Sequence, residues 1–314
     1  HLEKRMKLSV LVALCAVVFS ATVHTADWPM SNDAGFDTSV ENPMYEHSKG
    51  PIILLDAAHH NFHVTEGFIE PFAEIAAADG YRTVVGTSRF TPEFLRSFDI
   101  VMVITALPFE FTSKTEVTTE TTFTDSEIEA LHGWVSSGGS LLVFSEHAPF
   151  DQAINPLLKR FDVTSSVGTI ADPVHYDKEL GWEGWVVFSR ENGLLNADHP
   201  IVNGRDDSEA VNSVVTFGGS ALTGDEYVNI LRLSDTAENR QHPTGVGPDG
   251  MGDSQALAGE VGEGRILIFG DSNGFTAMNF DEEDGSVRSL GMNTAHHDWK
   301  QMVLNSLHWL SRDL

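Results

Sequence analysis

The chain has 314 residues, enough for one large domain or two small ones. Asp and Glu number 46 against 19 Lys and Arg, a formal net charge of −27, which argues against nucleic acid or an anionic membrane surface as a partner. Hydrophobic residues make up 41% and charged residues 21%, a globular composition with no low-complexity tract. Met6-Lys7 followed by the apolar run Leu8 to Phe19 reads as a signal peptide with cleavage between Ala21 and Ala26; His1 to Arg5 before the methionine read as an artefact. The run is too short for a membrane span, so none is expected after cleavage, and the expected location is periplasmic or secreted. The single cysteine, Cys15, lies inside this run, which leaves the mature chain without a disulfide or a thiol nucleophile.

Residues 27–50 read as an extended lead-in, and 51–314 as a single α/β domain. Short apolar runs alternate with helical spacing. Ile52 to Leu55 reads as a strand, Glu66 to Ala78 as a helix stopped by Asp79-Gly80, and Tyr81 to Val85 as a strand. Phe94, Leu95 and Phe98 suggest a short helix, and Asp99 to Ile104 a strand covered on both faces. Lys114 to Thr122 is a polar, Thr-rich loop. Thr124 with Glu127 three residues on is a capping box opening a helix over Ile128 to Val135, and Ser140 to Phe144 is the next strand. This order predicts a mostly parallel, doubly wound sheet with right-handed crossovers. Residues 162–250 are rich in Asp, Asn and Gly and read as an irregular insertion, or an antiparallel extension of the same sheet. Gly264 to Asp271 is a further strand, and Asp298 to Leu310 an amphipathic helix with Asp298 as a plausible cap.

Three apolar runs end in polar turns: Asp56 to His63, Ser145 to His147, and Asp271 to Asn273. In open α/β sheets ligands bind beyond the carboxyl ends of the strands, so these turns are expected to converge on one pocket. His59 and His63 are spaced by four and His60 adds a third imidazole. With Asp56 and Asp271 they form a candidate ligand set for a divalent metal (Zn, Mn or Ca); the alternative is a hydrogen-bonding scaffold. Glu146 is the candidate general base, His147 a ligand or oxyanion stabiliser, and Ser145 the only nucleophile candidate on the strand-to-helix elbow. Ser145 lacks a G-x-S-x-G setting. The run Asp281 to Asp284 offers oxygens to Ca²⁺ but does not match an EF-hand loop.

Several segments carry a resemblance: Asp56 to His63, Phe123 to Phe150, His199-Pro200-Ile201 with Gly204-Arg205, Thr216 to Gly219, Gly262 to Ala277, Gly291 to Asn293, and Asn305 to Leu310. Together they resemble an uncharacterised family of exported bacterial proteins with a class I glutamine amidotransferase-like fold. The resemblance implies a flavodoxin-like architecture. Glutamine amidotransferases carry a cysteine on the elbow that Ser145-Glu146-His147 occupies here, so hydrolysis of glutamine through a thiolate is excluded. Relatives of the fold also serve as non-catalytic modules in gliding-motility and intraflagellar-transport proteins. The leading expectation is an exported hydrolase of a small carbonyl substrate (ester, lactone or amide), with a metal activating water. The rival is a non-catalytic module that binds a small-molecule ligand or a protein at the same edge; a structural envelope protein stands third.

Overall fold

The computed structural model describes residues 28–112, 120–243 and 245–314. The signal-peptide run and most of the Thr-rich loop lie outside them. Nine strands form the main sheet: β1 (Ile52–Asp56), β2 (Arg82–Gly86), β3 (Ile100–Val103), β4 (Ser140–Phe144), β5 (Thr164–Ser165), β6 (Leu222–Thr223), β7 (Val228–Arg232), β8 (Ser254–Val261) and β9 (Gly264–Phe269). Their order is β2-β1-β3-β4-β9-β8-β6-β5, with β7 also paired to β8. The first five strands in that order are mutually parallel, and every pairing beyond β9 is antiparallel. The fold is therefore α/β with a mixed sheet, not the mostly parallel one expected. The tight turn at Gly262 and Glu263 joins β8 directly to β9, and a hairpin connection of that length can only be antiparallel.

The parallel strands alternate side chains between two cores, as a period of two requires. Ile53, Leu55, Met102, Phe144 and Phe269 face helices α2 (Glu70–Ala78) and α7 (Trp299–Leu310). Leu54, Val101, Val143 and Ile268 face the opposite layer, α3 (Pro92–Leu95), α4 (Asp125–Ser136) and α5 (Phe150–Arg160). Helices thus cover both faces of the parallel half, which is why its strands read as unbroken apolar runs. Two short helices complete the set, α1 (Phe62–Thr65) after the β1 turn and α6 (Pro200–Asn203) between β5 and β6. The lead-in contributes a strand, Met30–Asn32, to a small antiparallel sheet with Ala277–Asp281 and Val287–Gly291. The acidic run Asp281 to Asp284 forms the hairpin turn of that sheet.

The capping box at α4 is present in full: Thr124 Oγ1 accepts from the Glu127 amide, and Glu127 Oε2 accepts from the Thr124 amide at 3.1 Å. Thr124→Ala is expected to lower stability by about 1 kcal/mol, read as a shift of the urea midpoint at unchanged slope. Asp298 behaves differently from its expected role. It stands at the N-cap position of α7 without capping it, because its carboxylate instead accepts the amides of Asn212 and Ser213 at 2.7 and 3.2 Å.

Candidate functional site

The carboxyl ends of β1, β3 and β4 each lead into a non-glycine residue with left-handed backbone: His60 (φ 46°), Thr105 (φ 53°) and Glu146 (φ 58°). Such conformations cost energy and persist where the surroundings enforce them, typically at functional edges. Two polar clusters occupy this edge.

The first surrounds the turn after β4. Glu146 is buried, and its Oε2 accepts the Ser272 amide at 2.7 Å and the Ser272 hydroxyl; its Oε1 accepts the His147 amide at 3.1 Å. Ser272 Oγ also meets His63 Nε2 at 3.0 Å. With the Ser272 proton given to Glu146, His63 must donate through Nε2. Burial, only partly opposed by Glu146, pushes the His63 pKa down to about 4, so the ring is neutral and its buried Nδ1 is a bare acceptor with no partner among the described residues. His147 donates through Nδ1 to the Ala148 carbonyl at 2.8 Å and stacks on His242 at 4.3 Å. Burial, with His147 nearby, pushes His242 down to about 4. Burial likewise raises Asp151 to about 6. Asp271 lies deeper. Burial and the neighbouring Glu146 charge raise its pKa, while its oxygens accept the amides of Phe217 at 2.8 Å and Asn273 at 2.9 Å.

The second cluster lies at the turn after β1. His59 is buried between Phe90 and Phe123, with Nδ1 2.8 Å from Asp56 and Nε2 2.9 Å from Glu127. Burial opposes its charge, but Asp56 and then Glu127 outweigh that and raise the pKa. Glu127 is also buried; the Thr124 cap and His59 overcome the burial cost and hold its carboxyl at about 2. Arg89 closes the cluster from the surface at 3.1 Å, and Asn61 bridges Asp56 to the Ile104 amide. A cavity of about 230 Å³ opens here, lined by His60, Arg89, Leu107, Thr122 and Phe123 among others.

The expected site residues therefore divide. Glu146, His63, Ser272 and Asp271 meet at the β4 and β9 ends, with His147 at their surface. Asp56 and His59 belong to the neighbouring cluster, and His60 is exposed. The expected ligand set Asp56, His59, His60, His63 and Asp271 is not assembled into one shell. The left-handed turn at His60 sends the three imidazoles different ways, and both nitrogens of His59 are already held by carboxylates. Among the described residues no group of three or more His, Cys, Asp or Glu is placed to hold an ion. The Ser145 hydroxyl turns into the sheet, where it bonds Ser220. Sequence reasoning missed Ser272, Glu127, Arg89, His242 and Asp151; Ser272 lay within a polar turn already singled out, and Glu127 was seen only as a cap.

No family model matches the chain, and no curated protein matches it. Several solved structures are similar. The N-terminal domain of mmIFT52 aligns at a TM-score of 0.57 with 17% identity over 82% of this chain and 97% of that one. A ThuA-like protein from Bacteroides uniformis aligns at a TM-score of 0.42 with 12% identity over 86% and 95% of the two chains. The cytoplasmic protein STM3548 from Salmonella typhimurium aligns at 0.43 with 10% identity over 83% and 98%. What the first of these likenesses establishes is a shared fold.

Proposed function

We propose that this chain is an exported module of glutamine amidotransferase-like fold that binds a small polar ligand at the carboxyl edge of its parallel strands and does not turn it over. One observation carries this reading: the elbow after β4, where that fold class places its nucleophile, holds Glu146, and three protein donors already occupy its carboxylate. Ser145 beside it is fully buried and bonded inward, so no nucleophile faces solvent there. The ligand would meet the half-exposed His147 and the His242 ring stacked on it. The left-handed backbone of Glu146 favours a second reading, hydrolysis of an ester, lactone or amide with Glu146 as general base.

One experiment separates the two. Wild type, Glu146→Gln and His147→Ala are assayed on a panel of nitrophenyl esters, lactones and amides with and without chelator, and the same compounds are screened by thermal shift. The binding reading expects no turnover above background, and a saturable rise in Tm with an amide or lactone that His147→Ala loses. Turnover above background that falls by about 10²–10⁴-fold in Glu146→Gln would establish the hydrolase instead, and its response to chelator would tell a metal-assisted route from a metal-free one.

A further inference from the structure

The main sheet ends in an open edge. β2 pairs with β1 on one side, and among the described residues no strand pairs with it on the other. The ladder fixes which backbone groups are free. The Arg82 amide donates to Pro51 and the Gly86 carbonyl accepts from Ala57, so Arg82, Val84 and Gly86 address β1. In a parallel ladder alternate residues address opposite neighbours, so the N–H and C=O groups of Thr83 and Val85 point outward.

Natural sheets usually protect such an edge with proline, a bulge or a covering loop. Among the described residues β2 has no proline and no bulge, and the exposure of its valines leaves it uncovered; its one guard is the charge of Arg82. Val84 is 43% and Val85 41% exposed, two of the few large apolar side chains left open. The charge around them is also unusual for this chain. Residues 81–98 hold three exposed arginines, Arg82, Arg89 and Arg96, against the single acid Glu93, in a protein whose net charge is −27; Arg89 is paired with Glu127, so Arg82 and Arg96 carry the patch.

We infer that the β2 edge is a docking site for an extended, acidic segment of a partner protein, which adds to the sheet as a further strand. Main-chain hydrogen bonds to Thr83 and Val85 would supply registry, Val84 and Val85 apolar contact, and the arginines a preference for acidic side chains. A second copy of this chain fits the same edge less well, because symmetric pairing sets arginines near arginines. The inference rests on residues apart from the Glu146 site, so either can fail while the other stands.

The test uses two labelled synthetic peptides, one alternating glutamate with valine and one alternating lysine with valine, titrated into the protein by fluorescence anisotropy. The glutamate peptide is expected to bind saturably, about tenfold or more tighter than the lysine peptide, and to weaken in high salt. Val85→Pro removes an outward N–H without touching the β1 ladder, and Thr83→Pro does the same at a second place should the first variant fail to fold. Each should abolish binding at unchanged circular dichroism and Tm. Arg82→Glu combined with Arg96→Glu should reverse the preference between the peptides. Absence of glutamate-peptide binding at millimolar concentration, or equal binding of both peptides, overturns the proposal. So does a wild-type dimer that Val85→Pro converts to monomer, since a second copy would then be the occupant.

Discussion

His59→Phe is expected to destabilise the fold by about 3–5 kcal/mol, a fall in Tm on the order of 10 °C. The ring volume is nearly kept and the aromatic neighbours Phe90 and Phe123 remain in place, so the cost is electrostatic. Asp56 and Glu127 are 0% and 3% exposed, and the substitution removes the partner the two buried carboxylates share, leaving Asp56 with Asn61 and Glu127 with Thr124 and Arg89. Arg89 cannot compensate, because its side chain is 64% exposed and an ion pair of that kind contributes little. Adding Glu127→Gln to His59→Phe should return part of the loss by removing one buried charge. The pH dependence follows from the signs. The raised pKa of His59 gives stability that is complete below its ordinary value near 6.5 and lost as pH rises through the folded value. The depressed pKa of Glu127 gives stability present above its ordinary 4.5 and lost as pH falls toward about 2. The difference in Tm between wild type and His59→Phe should therefore peak between roughly pH 5 and 6. A difference that is flat from pH 3 to 9 would mean that His59 acts through packing alone.

The parallel half of the sheet was legible because burial on both faces leaves a composition signal that needs no context. Ile53–Leu55, Ile100–Val103 and Leu141–Phe144 are unbroken apolar runs, and each strand begins or ends within a residue or two of its expectation. The antiparallel half was legible only in outline: an antiparallel extension was one of the two readings of residues 162–250 and Val228–Arg232 does join the sheet, but strands of two residues such as Thr164–Ser165 and Leu222–Thr223 are too short to show any period. Helix α5 was missed for a local reason: Pro149 and Pro156 flank and interrupt it, although Ile154, Leu157, Leu158 and Phe161 keep helical spacing. The site divided in the same way. Its place at the strand ends could be read, because polar residues directly after apolar runs must lie at the sheet edge. Its pairings could not. Glu127 lies 68 residues from His59, and Ser272 lies 126 from Glu146, so only the fold decides that these groups meet. The three neighbouring imidazoles of His59, His60 and His63 looked equivalent in sequence. One became a buried ring clamped between two carboxylates that raise its pKa, one an exposed residue and one a ring that burial keeps neutral, because the left-handed backbone at His60 separates them.

Trp299→Ala is expected to cost about 3–5 kcal/mol and to loosen the Glu146 site as well. Trp299 is fully buried at the first position of α7, and its Nε1 donates to the Val215 carbonyl at 2.6 Å. Its ring lies 6.1 Å from both Phe269 and Phe275, and Phe275 packs in turn on Phe144 at 4.8 Å. These rings sit under the ends of β4 and β9. Phe275 belongs to the 3₁₀ turn Asn273–Phe275 that follows Ser272 directly. Gly274 in that turn lies flat on the indole; a Cβ there would stand 2.5 Å from it. The indole thus props the turn whose Ser272 amide and hydroxyl hold Glu146. Truncation to alanine leaves a cavity under the turn and an unpaired Val215 carbonyl, so two losses add. Trp299→Phe keeps a ring and should cost clearly less. Hydrogen exchange can tell support of the site from general stability. In Trp299→Ala the amides of Ser272 and Asn273 should lose protection by more than the global loss, while those of β1 and β2 follow the global change. Equal loss at every amide would show that the tryptophan stabilises the core without positioning Ser272.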